Sequence, residues 1–298
     1  MRTVTAAAGP ATAPAGPPPG APRLTGAVSL SFAAGSVTAR DPDLRVYARD
    51  LALPYGLPLA EDRLAAGTGQ SYAEMGEAVI DALLPAGQPA DLLVEVFASP
   101  DVQPGRAASV HLSSYCPGRP FAFALAEQGT AGAFSALALT ASYLHGDGFE
   151  RALVLVLEQA ALPWQPPDGT PVPDRHTAVG LLWERSGGPA LTLLGGGPRL
   201  SPDRARARVT AALAAETQGG SPLPLLLLGP GLADWEPPPG TEALRARAGS
   251  PYTGLWTLLA EHRHRIGGEG RPALLAEYDP LLGHLDLARL APDRSSRT

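Results

Sequence analysis

The stretch that most narrows the fold is Phe121 to Glu158, FAFALAEQGTAGAFSALALTASYLHGDGFERALVLVLE, which reads as strand, sharp turn, helix, loop and strand. Phe121–Ala126 is a short apolar run rich enough for a buried strand. Arg151–Glu158 is a second one, long enough to cross the centre of a sheet. Between them a helix is predicted from about Thr130 to Leu144. Gly132, Ala133, Ser135, Ala136 and Ala138 keep it small on almost every side, so neighbours can surround it. Gly146-Asp147-Gly148 ends it, because glycine tolerates the left-handed conformation at a helix C-terminus. The polar step Glu127-Gln128-Gly129-Thr130 sits between strand and helix, where many enzymes place a nucleophile.

The rest of the chain supplies the context for such a unit. Its 298 residues can bury a sizeable core, and 45% of them are hydrophobic, with a mean hydropathy near zero. No apolar run reaches the roughly 18–20 residues needed to span a bilayer. The first 22 residues are rich in alanine and proline and lack the apolar segment of a signal peptide, so they are expected to be a disordered tail. A net charge of −6 argues against a nucleic-acid surface. The single cysteine, Cys116, excludes an internal disulfide and fits a reducing cytoplasm. The chain has no lysine and no asparagine. That removes Schiff-base chemistry and the lysine of a phosphate-binding loop.

In chain order, Leu24–Phe32 alternates as a first strand, and Arg40–Arg63 reads as a loop-rich excursion. Ser71–Leu84 is a helix opened by a capping box, with Glu74 three residues after Ser71. Asp91–Ser99 is a strand and Arg106–Tyr115 a helix. The proline-dense link Pro163–Pro173 is taken as the boundary between an N-terminal half, 23–162, and a C-terminal half, 163–298. Beyond it, His176–Glu184 and Ala190–Leu194 read as the strands of a hairpin. Pro202–Thr217 and Ser250–Arg265 are helices, and Leu223–Leu228, Pro272–Glu277 and His284–Leu290 are strands. The alternation is that of a layered α/β sheet, repeated loosely in the second half.

The strand, the Gln128-Gly129-Thr130-Ala131-Gly132 turn into an alanine-rich helix, and the strand beginning RALVL resemble the nucleophile segment of thiolase-fold ketosynthases. The nearest branch is the ketoacyl-ACP synthase III-like group. The resemblance implies a thiolase-like, pseudo-duplicated α/β/α/β/α layered sandwich, and it places Thr130 where that family carries its cysteine. The family's histidine follows an apolar strand of the second half, where this chain has Gly229. Its asparagine precedes a Thr-Gly pair, where this chain has Tyr252 before Thr253-Gly254. The resemblance is thus to a scaffold whose catalytic triad is degenerate at Thr130, Gly229 and Tyr252. Gln128, Thr130 and Tyr252 remain as expected substrate-binding positions.

A threonine nucleophile needs a base beside it, and neither matching position supplies one. Cys116 precedes Pro117-Gly118 outside the motif and reads as a passive thiol, a displaced nucleophile being the alternative. None of the six histidines has metal-pair spacing, although His176 stays a weak candidate. No cofactor is expected. The first functional expectation is a non-catalytic ketosynthase-III-like subunit in polyketide, fatty-acyl or related secondary-metabolite biosynthesis. It would form a heterodimer with an active ketosynthase-like subunit through the Phe121–Ala126 edge, with acyl carrier protein as a possible further partner. Acyl transfer or hydrolysis by Thr130 or Cys116 is the alternative.

Overall fold

The computed structural model describes residues 20–33, 35–84, 87–146, 148–217, 223–267 and 271–292. Apart from its last three residues, the expected tail at 1–22 lies outside them. In chain order the first ten elements are β1 (Arg23–Phe32), α1 (Pro42–Ala52), α2 (Glu61–Ala66), α3 (Tyr72–Leu83), β2 (Leu92–Phe97), α4 (Ala108–Tyr115), β3 (Phe121–Ala126), α5 (Ala131–His145), β4 (Arg151–Glu158) and β5 (His176–Glu184). They are followed by β6 (Ala190–Leu193), α6 (Pro202–Glu216), β7 (Leu225–Leu228), β8 (Ala243–Arg245), α7 (Gly254–Gly267), β9 (Ala273–Asp279) and β10 (His284–Ala291).

The strands lie in the order β3-β2-β4-β5-β1-β6-β10-β9-β7-β8. Numbered within each half, β1 to β5 run third, second, fourth, fifth, first. Counted inward from the far edge, β6 to β10 repeat that order. The duplication absent at the residue level is therefore present in the topology. Strand parity sorts the side chains into layers, since successive residues face opposite sides. Leu92, Val94, Val96, Ala152, Val154 and Val156 join Leu225, Leu227, Ala273 and Leu275 in one inner core with α5 and α7. Leu93, Leu153, Leu155 and Leu157 point the other way, against α3 and α4. Leu226, Leu228, Leu274 and Ala276 face α6. The result is five layers, helices and sheet halves alternating, with α5 and α7 in the middle. The rings of Phe134 and Trp256, 5.1 Å apart, join those two helices.

Several local expectations change. The region 40–63 is not mainly loop: Asp41 caps α1 through the Asp43 N–H, Pro42 fills the first helical position, and α2 follows. β5 and β6 do not form a hairpin, because β1 runs between them. It pairs antiparallel with β5 along its length and meets β6 at Arg23–Ala190. The repeat in strand order turns over between β5 and β6, whereas the proline-dense link at 163–173 falls between β4 and β5. β3 is not buried. It is one of the two edge strands, β8 being the other, and Phe121 is 54% exposed. Nor is α5 enclosed all round, since Ala138, Leu139 and Ser142 face outward. Its last turn is followed by an extended Gly146, and the left-handed glycine is Gly148. No helix among the described residues is long and apolar enough to cross a membrane.

Candidate functional site

The strand β3 ends in the 127–130 turn, which delivers the backbone to the start of α5. Glu127 (φ 61°) and Gly129 (φ 55°) are both left-handed, a conformation that costs a side chain such as glutamate. A Cβ at Gly129 would collide with Asp279 Oδ2, so a side chain there would have to displace that carboxylate as well as adopt a left-handed backbone. Thr130 is the residue immediately before the helix. Its side chain makes no capping bond, and its Oγ1 is buried without a partner.

What satisfies the start of α5 comes from the other half of the chain. The Thr130 N–H donates to Asp279 Oδ2 at 3.3 Å. The other oxygen of Asp279 accepts from the Leu281 and Leu282 N–H groups at 2.9 and 3.0 Å. Glu158 acts in the reverse direction. Its Oε2 accepts from the N–H groups of Tyr252 and Thr253, at 2.9 and 3.1 Å, and its Oε1 takes the Thr253 hydroxyl at 2.5 Å. Both carboxylates end the fourth strand of their repeat, β4 or β9, and each holds the start of the other repeat's inner helix. The exchange is reciprocal.

These ends enclose a cavity of about 290 Å³, lined by Thr130, Tyr252, Tyr278, Asp279, Glu127 and an apolar set that includes Leu281 and Leu282. Two expected positions, Thr130 and Tyr252, therefore meet there. Gln128 does not line it; the chain presents its neighbours Glu127 and Gly129 instead. Gly229 is also off the wall, although Pro230 and Gly231 contribute. A side chain at 229 would overlap the Glu277 carboxyl. Glu277 is buried, and burial pushes its pKa well above the ordinary glutamate range. Burial likewise raises Glu158. Tyr252 is pushed up to about 12, by burial first and then by Asp279 and Glu158, while its hydroxyl donates to the Pro171 carbonyl at 3.1 Å.

Among the described residues no basic side chain lines the cavity. An alkoxide on Thr130 would face carboxylates with no cation to offset them, and the N–H group it would use is already bonded to one. Cys116 lies elsewhere, at the end of α4 on the outer face of the first sheet half. Burial pushes its thiol up to about 11, the opposite of an activated nucleophile. His176 accepts the Ala160 N–H at 3.3 Å, and burial lowers its pKa. His111 pairs with Glu77 and His284 with Asp286. Among the described residues no group of three or more His, Cys, Asp or Glu could hold a metal.

Glu158, Glu277 and Asp279 are the site residues that sequence reasoning missed. Their signal was modest: an acid closing an otherwise apolar strand, once in RALVLVLE and again in ALLAEYD.

Solved structures match this fold over 91% of the chain. AbyA1, a tetronic acid condensing enzyme, aligns with a TM-score of 0.60 at 18% identity, covering 91% of this chain and all of its own. A variant of Xanthomonas campestris OleA aligns at 0.55 and 13%, covering 91% and 98%. The fold is that of thiolase-like condensing enzymes. Another OleA variant, solved with lauric acid and lauroyl-CoA, aligns at 0.56 and 13% over 91% and 99%. At these identities the likeness carries the fold and not an activity. No protein-family model matches the chain, and no curated protein matches it in sequence.

Proposed function

We propose that this chain is a non-catalytic ketosynthase-III-like subunit that pairs with an active ketosynthase and shapes its acyl pocket. The pathway class would be polyketide, fatty-acyl or related secondary-metabolite biosynthesis. The observation that carries this reading is the bond from the Thr130 N–H to Asp279. A working thiolase-type site needs the start of that helix for the nucleophile and the developing oxyanion; here a carboxylate holds it. Gly229, packed against the buried Glu277 carboxyl, supplies no base, and Tyr252 is fixed by Pro171 and Glu158. Two structural neighbours, a condensing enzyme and a protein solved with an acyl-CoA, support the choice of acyl chemistry for the complex.

The proposed surface for the partner is the edge of β3. Phe121, Phe123 and Tyr143 form an aromatic group there, with ring centroids 5.6–6.3 Å apart, and Leu139 of α5 is 37% exposed. An unpaired apolar edge is a template for another chain. An acyl carrier protein is the further partner this reading accommodates. The alternative, acyl transfer or hydrolysis by Thr130 or Cys116, requires an alkoxide among carboxylates or ionisation of a thiol that burial suppresses. The test is co-expression with a ketosynthase encoded beside it, followed by size-exclusion chromatography and intact-mass analysis after incubation with acyl-CoA. The expected result is a 1:1 complex in which only the ketosynthase is acylated. Stable acylation of this chain, lost on Thr130→Ala or Cys116→Ala, would reverse the reading.

A further inference from the structure

A second cavity, of about 350 Å³, lies on the outer face of the first sheet half, away from the 127–130 turn. Glu95, Asp101, Tyr72 and Phe97 line it, with Ala124 of the edge strand to one side. Asp101 is 8% exposed, and its Oδ1 accepts the Tyr72 N–H at 3.0 Å and the Gln103 N–H at 3.2 Å, which caps α3 from outside. Glu95 is 1% exposed and extends from the middle of β2 toward the start of α4. There the Ser109 backbone N–H favours its ionised form, and the residue preceding the helix, Ala107, offers no side-chain cap. Its Oε1 is buried and has no partner.

A buried acceptor left unpaired is destabilising unless something donates to it. We propose that this cavity binds a small protonated amine, whose ammonium group donates to Glu95 and Asp101 while its apolar end lies against Phe97 and Ala124. A small rotation about the soft terminal torsion of Glu95 turns Oε1 to the cavity. The rings of Tyr72 and Phe97, with centroids 5.1 Å apart, offer faces that favour a cation. The Tyr72 hydroxyl is already used, donating to the Ser99 carbonyl at 2.8 Å. Two carboxyl groups disfavour an anion, and the described residues hold no metal-binding group. Among the described residues Arg106 is the one basic residue in the lining, and it is exposed at the rim.

The protonation states fit such an occupant. Burial pushes Glu95 to about 8 and Asp101 to about 6, with each negative charge opposed by its acidic neighbours: Asp101 for Glu95, Glu74 for Asp101. The other charged or titratable groups facing the pair are Tyr72 of α3 and Arg106 of the loop before α4. An entering ammonium ionises Glu95 and releases its proton near neutral pH.

The test is isothermal titration of the full chain with n-butylamine hydrochloride at neutral pH, in two buffers of different ionisation enthalpy, with n-butanol as the neutral control. Saturable one-site binding with net proton release is expected, and no binding of n-butanol. Glu95→Gln, close in shape to the neutral acid, should weaken binding by about tenfold or more, the loss of one charge-assisted hydrogen bond. Ala124→Leu, at the position paired with Glu95 across the β2–β3 ladder, fills the cavity while keeping both carboxyls and should weaken binding similarly, which covers the case of a misfolded Glu95 variant. Absence of saturable heat up to about 20 mM amine, unchanged affinity in both variants, or n-butanol binding as well as the amine would overturn the proposal.

Discussion

At the scale of single residues, Asp279 decides what Thr130 can do. Replacing Thr130 by cysteine puts a thiol at a helix start, which ordinarily favours the thiolate by about 0.3–2 kcal/mol. Here Asp279 holds the N–H of that residue and opposes a second negative charge. Thr130→Cys alone is therefore expected to show no thioester after incubation with acyl-CoA and an ordinary alkylation rate with iodoacetamide. Adding Asp279→Asn should raise that rate, measured by following the mass of the protein at fixed pH. A second residue-scale expectation concerns pH. Glu95 keeps its proton up to about pH 8 in the fold but ionises near 4.5 when unfolded. Between those values the unfolded state has released a proton that the native state retains, so stability falls as pH rises. Glu95→Gln removes that contribution, and its melting temperature should fall less than that of the wild type between pH 5 and 8. Equal slopes in the two proteins would show that Glu95 ionises normally in the fold.

At the scale of elements, what was legible depended on how far apart the partners lie. The capping box of α3 was readable because Ser71 and Glu74 are three residues apart, and both halves of it are present. The turn into α5 was readable from small residues after a polar step. The acids that hold this site were not, because Glu158 and Tyr252 are separated by 94 residues and Thr130 and Asp279 by 149. The edge position of β3 was also hidden, since an apolar hexapeptide looks the same at an edge as at a sheet centre; only the pairing with β2 on one side settles it. That edge carries a prediction. Phe121 is more than half exposed but packs against Phe123 and Tyr143, so Phe121→Asp should cost the isolated chain only about 1–2 kcal/mol and leave it folded. It should nevertheless abolish co-elution with the partner ketosynthase. Retained co-elution would move the proposed interface away from β3.

At the scale of the whole molecule, the two halves share one inner core around α5 and α7. Trp256→Ala, which removes a 1%-exposed ring packed on Phe134, should cost about 3–5 kcal/mol. The loss should appear as a shift of a single urea transition seen alike by fluorescence and circular dichroism; two separated transitions would mean that the halves unfold independently. The reciprocal hold of Glu158 on α7 and Asp279 on α5 has a consequence for the order of events during synthesis. While the ribosome is still making the second half, α5 has been translated but its stop for the first N–H groups has not. The N-terminal repeat can collapse early, yet the turn at Thr130 reaches its final geometry only after Asp279 emerges. Because each repeat waits on the other, the acids that close β4 and β9 serve as staples of maturation, and replacing either one would be felt first as slow or incomplete folding.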